Sequence, residues 1–507
     1  MYRILLQLCS YYRGSFHRKP ECHNRCVLDF TIEMDVHHHS NKGKTLTKLL
    51  TLNGGGIIVQ KEGLATARLP FSDPITHFRN GDVNTGDLLV FDSILKQLTY
   101  DEVRNVQIKE GMGKLQDEYN FDTAIIRGSN YITESIDLGY MVDVLKKINT
   151  PIIPLGIGVQ APSYKKMSLH NGTVKALHVM ADKCETMGVR GNYSAEVLND
   201  LGIKNISVIG CPSFYRSTSS RVEIKKPTDT CNIAVGFTLN KYLWGEYASN
   251  WIKALRTQRS LFLECIARGN SFLYSQGERE ETLSTLVDGE EKQQQIDRIR
   301  VQFDLPNSDA AQHFLSTRVY SPFTIDDWSE HVGKNVDFMI GFRLHGNVIA
   351  LHQGIPSAYF TYDSRIRELT ALFGLPTIEV DNFRPVDLNY IIEHSDFSKF
   401  ERCYEQNYKN YSAFLTKNGL KHRLVSDRLV QAITAPSDVE NGISVPYDDS
   451  GRSTWVASET EHLTRWIMDL DNERRRLLQG VSQQTQPQRP NNLTLRSAVR
   501  KLSRLFG

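Results

Sequence analysis

The stretch VDFMIGFRLHGNVIALHQGIPSAYFTYDSRIRELTALFGLP, Val336 to Pro376, decides how the chain is read. Val336 to Ile340 is an apolar run that ends at Gly341, and Arg343, His345 and Gly346 follow at once. A helix-like segment, Asn347 to Gln353, leads to Gly354 and a second apolar run, Ile355 to Thr361. Tyr362, Asp363 and Arg365 come next, and a charged helix from Ser364 to Phe373 stops at Gly374. The order is strand, polar loop, helix, twice over. In a parallel α/β sheet ligands bind just beyond the carboxyl ends of the strands, where Arg343, His345, Tyr362, Asp363 and Arg365 are all expected. If strand conformation persists past Gly341, a period of two sets the Arg343 and His345 side chains on one side.

The same alternation extends in both directions. Upstream, Asn84 or Thr85 is placed to cap a helix reaching about Leu98. A strand from Thr123 ends in Arg127-Gly128-Ser129-Asn130, with a helix from about Glu134 to Lys147 behind it. A second strand, Pro151 to Pro162, carries Gly156 and Gly158; a short one, Thr186 to Gly191, ends at Arg190; a last one spans Ile206 to Phe214. The polar segment 216–230 reads as a linker. From Cys231 strands and helices alternate again, including one highly charged helix expected from about Glu278 to Arg300. The chain is therefore expected to be α/β, with two tandem Rossmann-like domains, 71–215 and 231–385, facing a cleft. Residues 1–70 read as an extension of unclear structure, 386–478 as C-terminal helices, and 479–507 as a flexible basic tail with a short amphipathic helix.

Length and composition bound the rest. A chain of 507 residues is too long for one core. A net charge of +2 gives no global pull toward nucleic acid. Eight cysteines in so long a chain suit thiols in a reducing compartment, and the expected location is cytoplasmic. Cys22 and Cys26 have a spacing zinc tolerates, but the adjacent His37, His38 and His39 lack the spacing of a finger. In the tail, Leu495, Val499, Leu502 and Phe506 fall on one side of a helix and Arg496, Arg500, Lys501 and Arg504 largely elsewhere. That pattern suits peripheral contact with an anionic membrane, and equally a partner or this protein itself. Oligomeric state is not legible.

Glycine-rich loops at helix starts bind anions through free backbone N–H groups. None of the loops here is a G-x-G-x-x-G or a Walker loop, which disfavours classical dinucleotide or P-loop nucleotide binding. Arg343 offers a fixed fork for carboxylate or phosphate, and a histidine can give or take a proton near neutrality. Together they suit an anionic substrate whose reaction moves a proton. A salt-bridged arginine beside a packed histidine is the alternative reading of the same residues.

The stretch resembles the signature of the polysaccharide pyruvyl transferase family: a G-x-R-x-H-G core, an apolar helix, G-x-P, an apolar strand, Y-D with a basic residue, and G-L-P. It matches at Gly341, Arg343, His345, Gly346, Gly354, Pro356, Tyr362, Asp363, Arg365, Gly374, Leu375 and Pro376. Arg365 stands where lysine is common. NTGDLLVFDSI from Asn84, GVRGNYSAEVLNDLGI from Gly188 and GCPSF from Gly210 resemble further family segments more loosely. The family often has a triple glycine where this chain has Arg127-Gly128-Ser129-Asn130; a triple glycine does occur, at Gly54 to Gly56, but out of the expected order.

The resemblance implies the two-Rossmann-domain arrangement of GT-B glycosyltransferases. It implies transfer of pyruvate from phosphoenolpyruvate to a sugar as a ketal, in cell-surface or exopolysaccharide biosynthesis, with no cofactor or metal required. Under that reading Arg343 and Arg190 bind the anion, His345 is the general acid/base, Asp363 orients a hydroxyl or the histidine, and Arg365 meets donor phosphate. Asn84, Asp87, Gly128, Ser129, Asn130, Gly158, Gly346 and Tyr362 complete the expected substrate-binding set. Open alternatives are a nucleotide-sugar-dependent glycosyltransferase on the same scaffold, another transferase or hydrolase of anionic substrates, and a non-catalytic glycan-binding relative.

Overall fold

Strand β1 (Lys48–Leu52) pairs in parallel with β4 (Glu102–Val106) on one side and β5 (Thr123–Arg127) on the other. β6 (Ile152–Ile157), β7 (Met187–Val189) and β8 (Ile206–Val208) extend the sheet, giving the order β4-β1-β5-β6-β7-β8. The computed structural model describes residues 47–61, 64–70, 73–109, 120–228, 230, 232–243, 247–382 and 384–424. The Cys22–Cys26 pair, the histidine run and the whole tail lie outside the described residues.

The first domain thus includes residues expected to form the extension before residue 70. The reason is physical. Leu49, Leu50, Thr51 and Leu52 are all buried, because a central parallel strand is covered on both faces and shows no alternation to read. Between β1 and its crossover helix the chain inserts an antiparallel hairpin, β2 (Ile57–Lys61) with β3 (Leu64–Arg68), and a short helix α1 (Pro74–Asn80). Helix α2 (Thr85–Gln97) then packs into the core, with Leu88, Leu89, Val90, Phe91, Ile94 and Leu95 buried. Helices α3 (Gly139–Lys147), α4 (Asn171–Asp182) and α5 (Asn192–Asp200) connect the later strands. α3 starts some five residues later than its sequence pattern suggests.

The second sheet holds β9 (Val235–Thr238), β10 (Ser271–Tyr274), β11 (Val319–Tyr320), β12 (Phe338–Gly341), β13 (Ser357–Thr361) and β14 (Thr377–Glu379). All its pairings are parallel, and the order is β11-β10-β9-β12-β13-β14. Its helices are α6 (Trp251–Arg268), α7 (Arg279–Leu286), α8 (Gly289–Gln302), α9 (Asp309–Thr317), α10 (Ile325–Asn335), α11 (Leu344–His352) and α12 (Ser364–Phe373). The single charged helix expected from Glu278 to Arg300 is two helices, broken at Val287-Asp288, with Gly289 at φ 60°. Each sheet reverses its strand order once, between β1 and β5 and between β9 and β12, and such crevices are where open α/β sheets take ligands.

Helices α13 (Leu388–His394) and α14 (Phe400–Lys417) follow the second sheet, and α14 returns to the first domain. Tyr404 Oη donates to Phe214 O at 3.2 Å and Tyr411 Oη to Gln97 Oε1 at 2.8 Å. The chain end of the second domain is thereby fastened to the first. No helix among the described residues is long and apolar enough to cross a membrane.

Candidate active site

Two loops from different sheets are zipped together at the cleft. Val83 N donates to Gly277 O at 2.8 Å, and Thr85 N to Gln276 O at 3.0 Å. Gly277 has φ 94°, and a Cβ there would run into the Val83 carbonyl, so only glycine lets the loops approach. Asn84 caps α2, its Oδ1 accepting from Gly86 N at 3.1 Å. The cap sets Gly86 directly against His345 Nδ1, where a Cβ would not fit.

His345 does not continue a strand. The chain enters α11 at Leu344, with Arg343 as its N-cap residue in extended conformation, so the period-two argument fails. Arg343 N donates to Thr238 Oγ1 at 3.1 Å, which pins this turn to the end of β9, the neighbour of β12 at the reversal of strand order. The Arg343 guanidinium pairs with Glu278 at 2.7 Å. His345 Nε2 lies 3.8 Å from Cys211 Sγ, which also accepts from Ser213 Oγ at 3.1 Å.

Four arginines act on the charge of this histidine. Burial, then Arg190, Arg365, Arg343 and Arg127, hold the His345 pKa well below its ordinary value, so the ring is neutral at pH 7 in the unliganded protein. Arg127, at the end of β5, donates to Asp87 Oδ1 at 2.8 Å, Asn53 O at 2.6 Å and Gly128 O at 3.0 Å. Asn53 directly precedes Gly54-Gly55-Gly56. The triple glycine is therefore not a displaced copy of the 127–130 loop. The two loops lie side by side at the point where the first sheet reverses its order.

Arg190 is 2% exposed, with Nε donating to Gly156 O at 3.1 Å and a terminal nitrogen to Asn130 Oδ1. Asn130 Nδ2 donates to Gln160 Oε1 at 2.8 Å, and Gln160 Nε2 to Asp363 Oδ2 at 3.2 Å. Asp363 Oδ2 is 3.4 Å from Arg365, whose guanidinium donates to Tyr362 Oη at 3.0 Å. A hydrogen-bonded line thus runs from Arg190 in the first domain to Arg365 in the second. Beside it, Glu368 accepts from Ser194 Oγ and N at 2.6 and 3.0 Å, and burial pushes its carboxyl up to about 7.

The residues singled out in the sequence come together here, but several do other work than expected. Asp363 Oδ1 caps α12, accepting from Ile366 N at 2.8 Å, so this carboxylate is already engaged on both oxygens. The Tyr362 hydroxyl donates to Phe342 O and accepts from Asn240, and burial pushes its pKa up to about 12. Gly128, Gly158 and Gly346 are close-approach positions, against the Leu155 carbonyl, the Arg190 side chain and Thr238 respectively. Ser129 contributes its carbonyl, which accepts from Gly158 N at 3.0 Å. Asp87 holds Arg127 rather than standing free.

Sequence reading passed over Arg127 as part of an atypical loop, although its position at a strand end was signal enough. It gave no site role to Thr85 and Cys211, although both fall in the family-like segments from Asn84 and Gly210, and it missed Gln276, which no motif marks. Thr85 Oγ1, Gln276 Nε2, Arg343 Nε and Arg365 Nε are buried without a hydrogen-bond partner. A buried polar group needs a partner, which water or a ligand can supply. No group of three or more His, Cys, Asp or Glu side chains among the described residues is placed to hold a metal ion. Three of the four arginines are paired with Asp87, Glu278 and Asp363, while Arg190 bonds to the neutral Gly156 O and Asn130 Oδ1, so the positive charge left to attract an anion rests on Arg190.

The arginine–histidine cluster lies where two Rossmann-like domains meet, the arrangement of a two-domain α/β protein. The family model for polysaccharide pyruvyl transferase matches residues 84–364, more than half of the chain, and the chain belongs to that family. No curated protein matches it. Among solved structures it is similar to the UDP co-structure of S. aureus MnaA, at 10% identity over 74% of this chain and 99% of that one, TM-score 0.36. A UDP-N-acetylglucosamine 2-epimerase from Rickettsia bellii is similar at 9% identity over 74% and 96%, TM-score 0.37. The Methanocaldococcus jannaschii UDP-GlcNAc 2-epimerase, in complex with UDP-GlcNAc and UDP, is similar at 10% identity over 63% and 85%, TM-score 0.30.

Proposed function

We propose that this protein transfers the enolpyruvyl carbon skeleton of phosphoenolpyruvate to two hydroxyls of a saccharide, forming a pyruvate ketal and releasing phosphate. The observation that carries this reading is that Arg127, Arg190, Arg343 and Arg365 all act on the charge of His345, with Arg127, Arg190 and His345 buried. A phosphorylated carboxylic acid matches such a cluster, since guanidinium forks take phosphate and carboxylate oxygens in pairs. Its charge offsets that of the arginines and raises the histidine pKa, so the ring can arrive protonated where the reaction needs an acid.

In this reading His345 delivers a proton to the enol methylene carbon, which becomes the methyl group. The first sugar hydroxyl bonds to the adjacent carbon, and its proton passes to the histidine. Phosphate departs with the bridging oxygen, and the second hydroxyl closes the ketal as its proton leaves with phosphate. One proton is gained by carbon and two are lost by the sugar, so the sum balances. Arginines around the departing phosphate stabilise charge as it develops. The acceptor sugar and pathway lie outside what this cluster specifies.

The test is phosphate release from phosphoenolpyruvate with a panel of galactosides, glucosides and N-acetylmannosamine-containing acceptors. Acceptor-dependent phosphate together with a ketal methyl signal in the product supports the reading. No release with any acceptor, combined with stabilisation by UDP and not by phosphoenolpyruvate, replaces it with a nucleotide-sugar-dependent transferase.

A further inference from the structure

The loops that follow β5 and β6 enclose a second, solvent-open cavity of about 250 Å³ on the first domain. That is just under the roughly 300–1,000 Å³ of pockets for drug-sized ligands, the scale of one sugar ring. Its wall carries Thr133, Glu134, Ser135, Gln160, Lys165 and Met167. These offer hydroxyls, a carboxylate, an amide and an ammonium, which is the mixed donor and acceptor set that sugar hydroxyls require. The two charges cancel: Lys165 Nζ pairs with Glu134 Oε2 at 2.6 Å. The cavity therefore lacks the cationic character of the arginine cluster.

Two tyrosines adjoin it, and Tyr193 Oη donates to the carbonyl of the lining residue Lys165 at 2.8 Å. Tyr164 lies in the chain between the lining residues Pro162 and Lys165, is 49% exposed, and stacks on Tyr193 with ring centroids 4.5 Å apart. Ile136 and Tyr140, which follow the other lining loop in the chain, are also exposed, at 42% and 40%. An aromatic ring held in place by a second ring offers the C–H face of a pyranose a flat, rigid platform.

Gln160 joins this cavity to the arginine cluster. It lines the cavity and also bonds Asn130, the partner of Arg190, and Asp363, the partner of Arg365. We infer that this cavity is the acceptor subsite, taking one uncharged sugar ring of the saccharide against Tyr164 and the Glu134–Lys165 pair. Gln160 stands between it and the donor anion. Donor and acceptor are thus sorted by charge: the anion goes to the arginines, the neutral polyol to the paired charges. The purpose of the subsite rests on the pyruvyl-transfer reading; its binding chemistry does not.

The experiment uses the full chain and saturation-transfer NMR, with methyl galactoside, methyl glucoside, methyl N-acetylmannosaminide and methyl glucuronide as probes. Phosphoenolpyruvate affinity is measured separately by calorimetry. At least one neutral glycoside is expected to bind, and Tyr164→Ala and Lys165→Met each to weaken it tenfold or more. Phosphoenolpyruvate affinity stays within twofold in both variants. Binding of no neutral glycoside, tighter binding of the glucuronide than of every neutral probe, or unchanged glycoside affinity in both variants overturns the subsite. A chain that binds glycoside in this Tyr164-dependent way but does not bind phosphoenolpyruvate sinks the donor reading and leaves the subsite standing.

Discussion

The side-chain amide of Gln160, in the first domain, donates to the Asp363 carboxylate, in the second, across 3.2 Å. Asp363 is fully buried, and its other oxygen caps α12. Two requirements therefore meet in one residue: a helix needs its cap, and the buried Arg365 needs a counter-charge. Asparagine can meet the first and not the second. Asp363→Asn is expected to keep the cap, whose loss costs about 1 kcal/mol. Both variants lose the counter-charge, and breaking a buried pair costs about 3–5 kcal/mol; Asp363→Ala loses the cap as well. Thermal melts should therefore place both below the wild type, with Ala lower than Asn by the cap's contribution of about 1 kcal/mol, while both lose turnover. Equal melting temperatures would remove the capping role.

His345 is neutral before substrate arrives, because burial and four arginines oppose its charge. A bound trianion works in the opposite direction. Phosphoenolpyruvate binding at pH 7 should therefore take up a proton, read as a calorimetric heat that varies with the ionisation enthalpy of the buffer. His345→Gln should abolish that variation. In His345→Ala, turnover should fall by roughly 10²–10⁴, the usual worth of a general acid–base group. A rate within tenfold of the wild type would rule the ring out as the proton carrier.

Arg127 has its guanidinium fixed by Asp87, Asn53 and Gly128, so its orientation is set before any ligand binds. A lysine carries the charge but not the fork. Arg127→Lys should raise KM for phosphoenolpyruvate by about tenfold or more, given about 1.5–3 kcal/mol for a hydrogen bond to a charged group. An unchanged KM would place this arginine outside the donor site.

Glu368 titrates at about 7 in the folded chain instead of 4.5, because burial outweighs its bonds to Ser194 and the nearby Arg190. A raised folded pKa favours the protonated carboxyl, so its stabilising contribution is complete below pH 4.5 and is lost as pH rises through 7. The shift corresponds to about 3 kcal/mol at 1.36 kcal/mol per unit. Glu368→Gln, neutral at every pH, should flatten the fall in melting temperature between pH 5 and 8. A wild-type and variant pair with parallel profiles would exclude Glu368 as the source.

Local pattern made much of the second domain legible. Gly341, Gly354 and Gly374 punctuate Val336 to Pro376, and the apolar runs between them became β12 and β13 close to where they were expected. The N-cap role of Asn84 was equally readable, because a cap is a local bond. β1 was not legible: a five-residue strand buried on both faces has neither alternation nor length to distinguish it. The hairpin between β1 and α2 hid the approach of the triple glycine to α2, where a Cβ on Gly55 would meet the Asp87 backbone.

The sequence by itself determined two α/β halves, the strand-end position of Arg343 and His345, and the family signature around them. These depend on periodicity and on residues adjacent in the chain. Only the tertiary structure decided what each polar group faces. It turned Asp363 into a cap and ion-pair partner, gave Arg343 to Glu278, and set Arg127 and Cys211 into the histidine's surroundings. Partners such as Gln160 and Asp363 stand 203 positions apart. Desolvation and the pull of neighbouring charges act through space, so no local pattern records them.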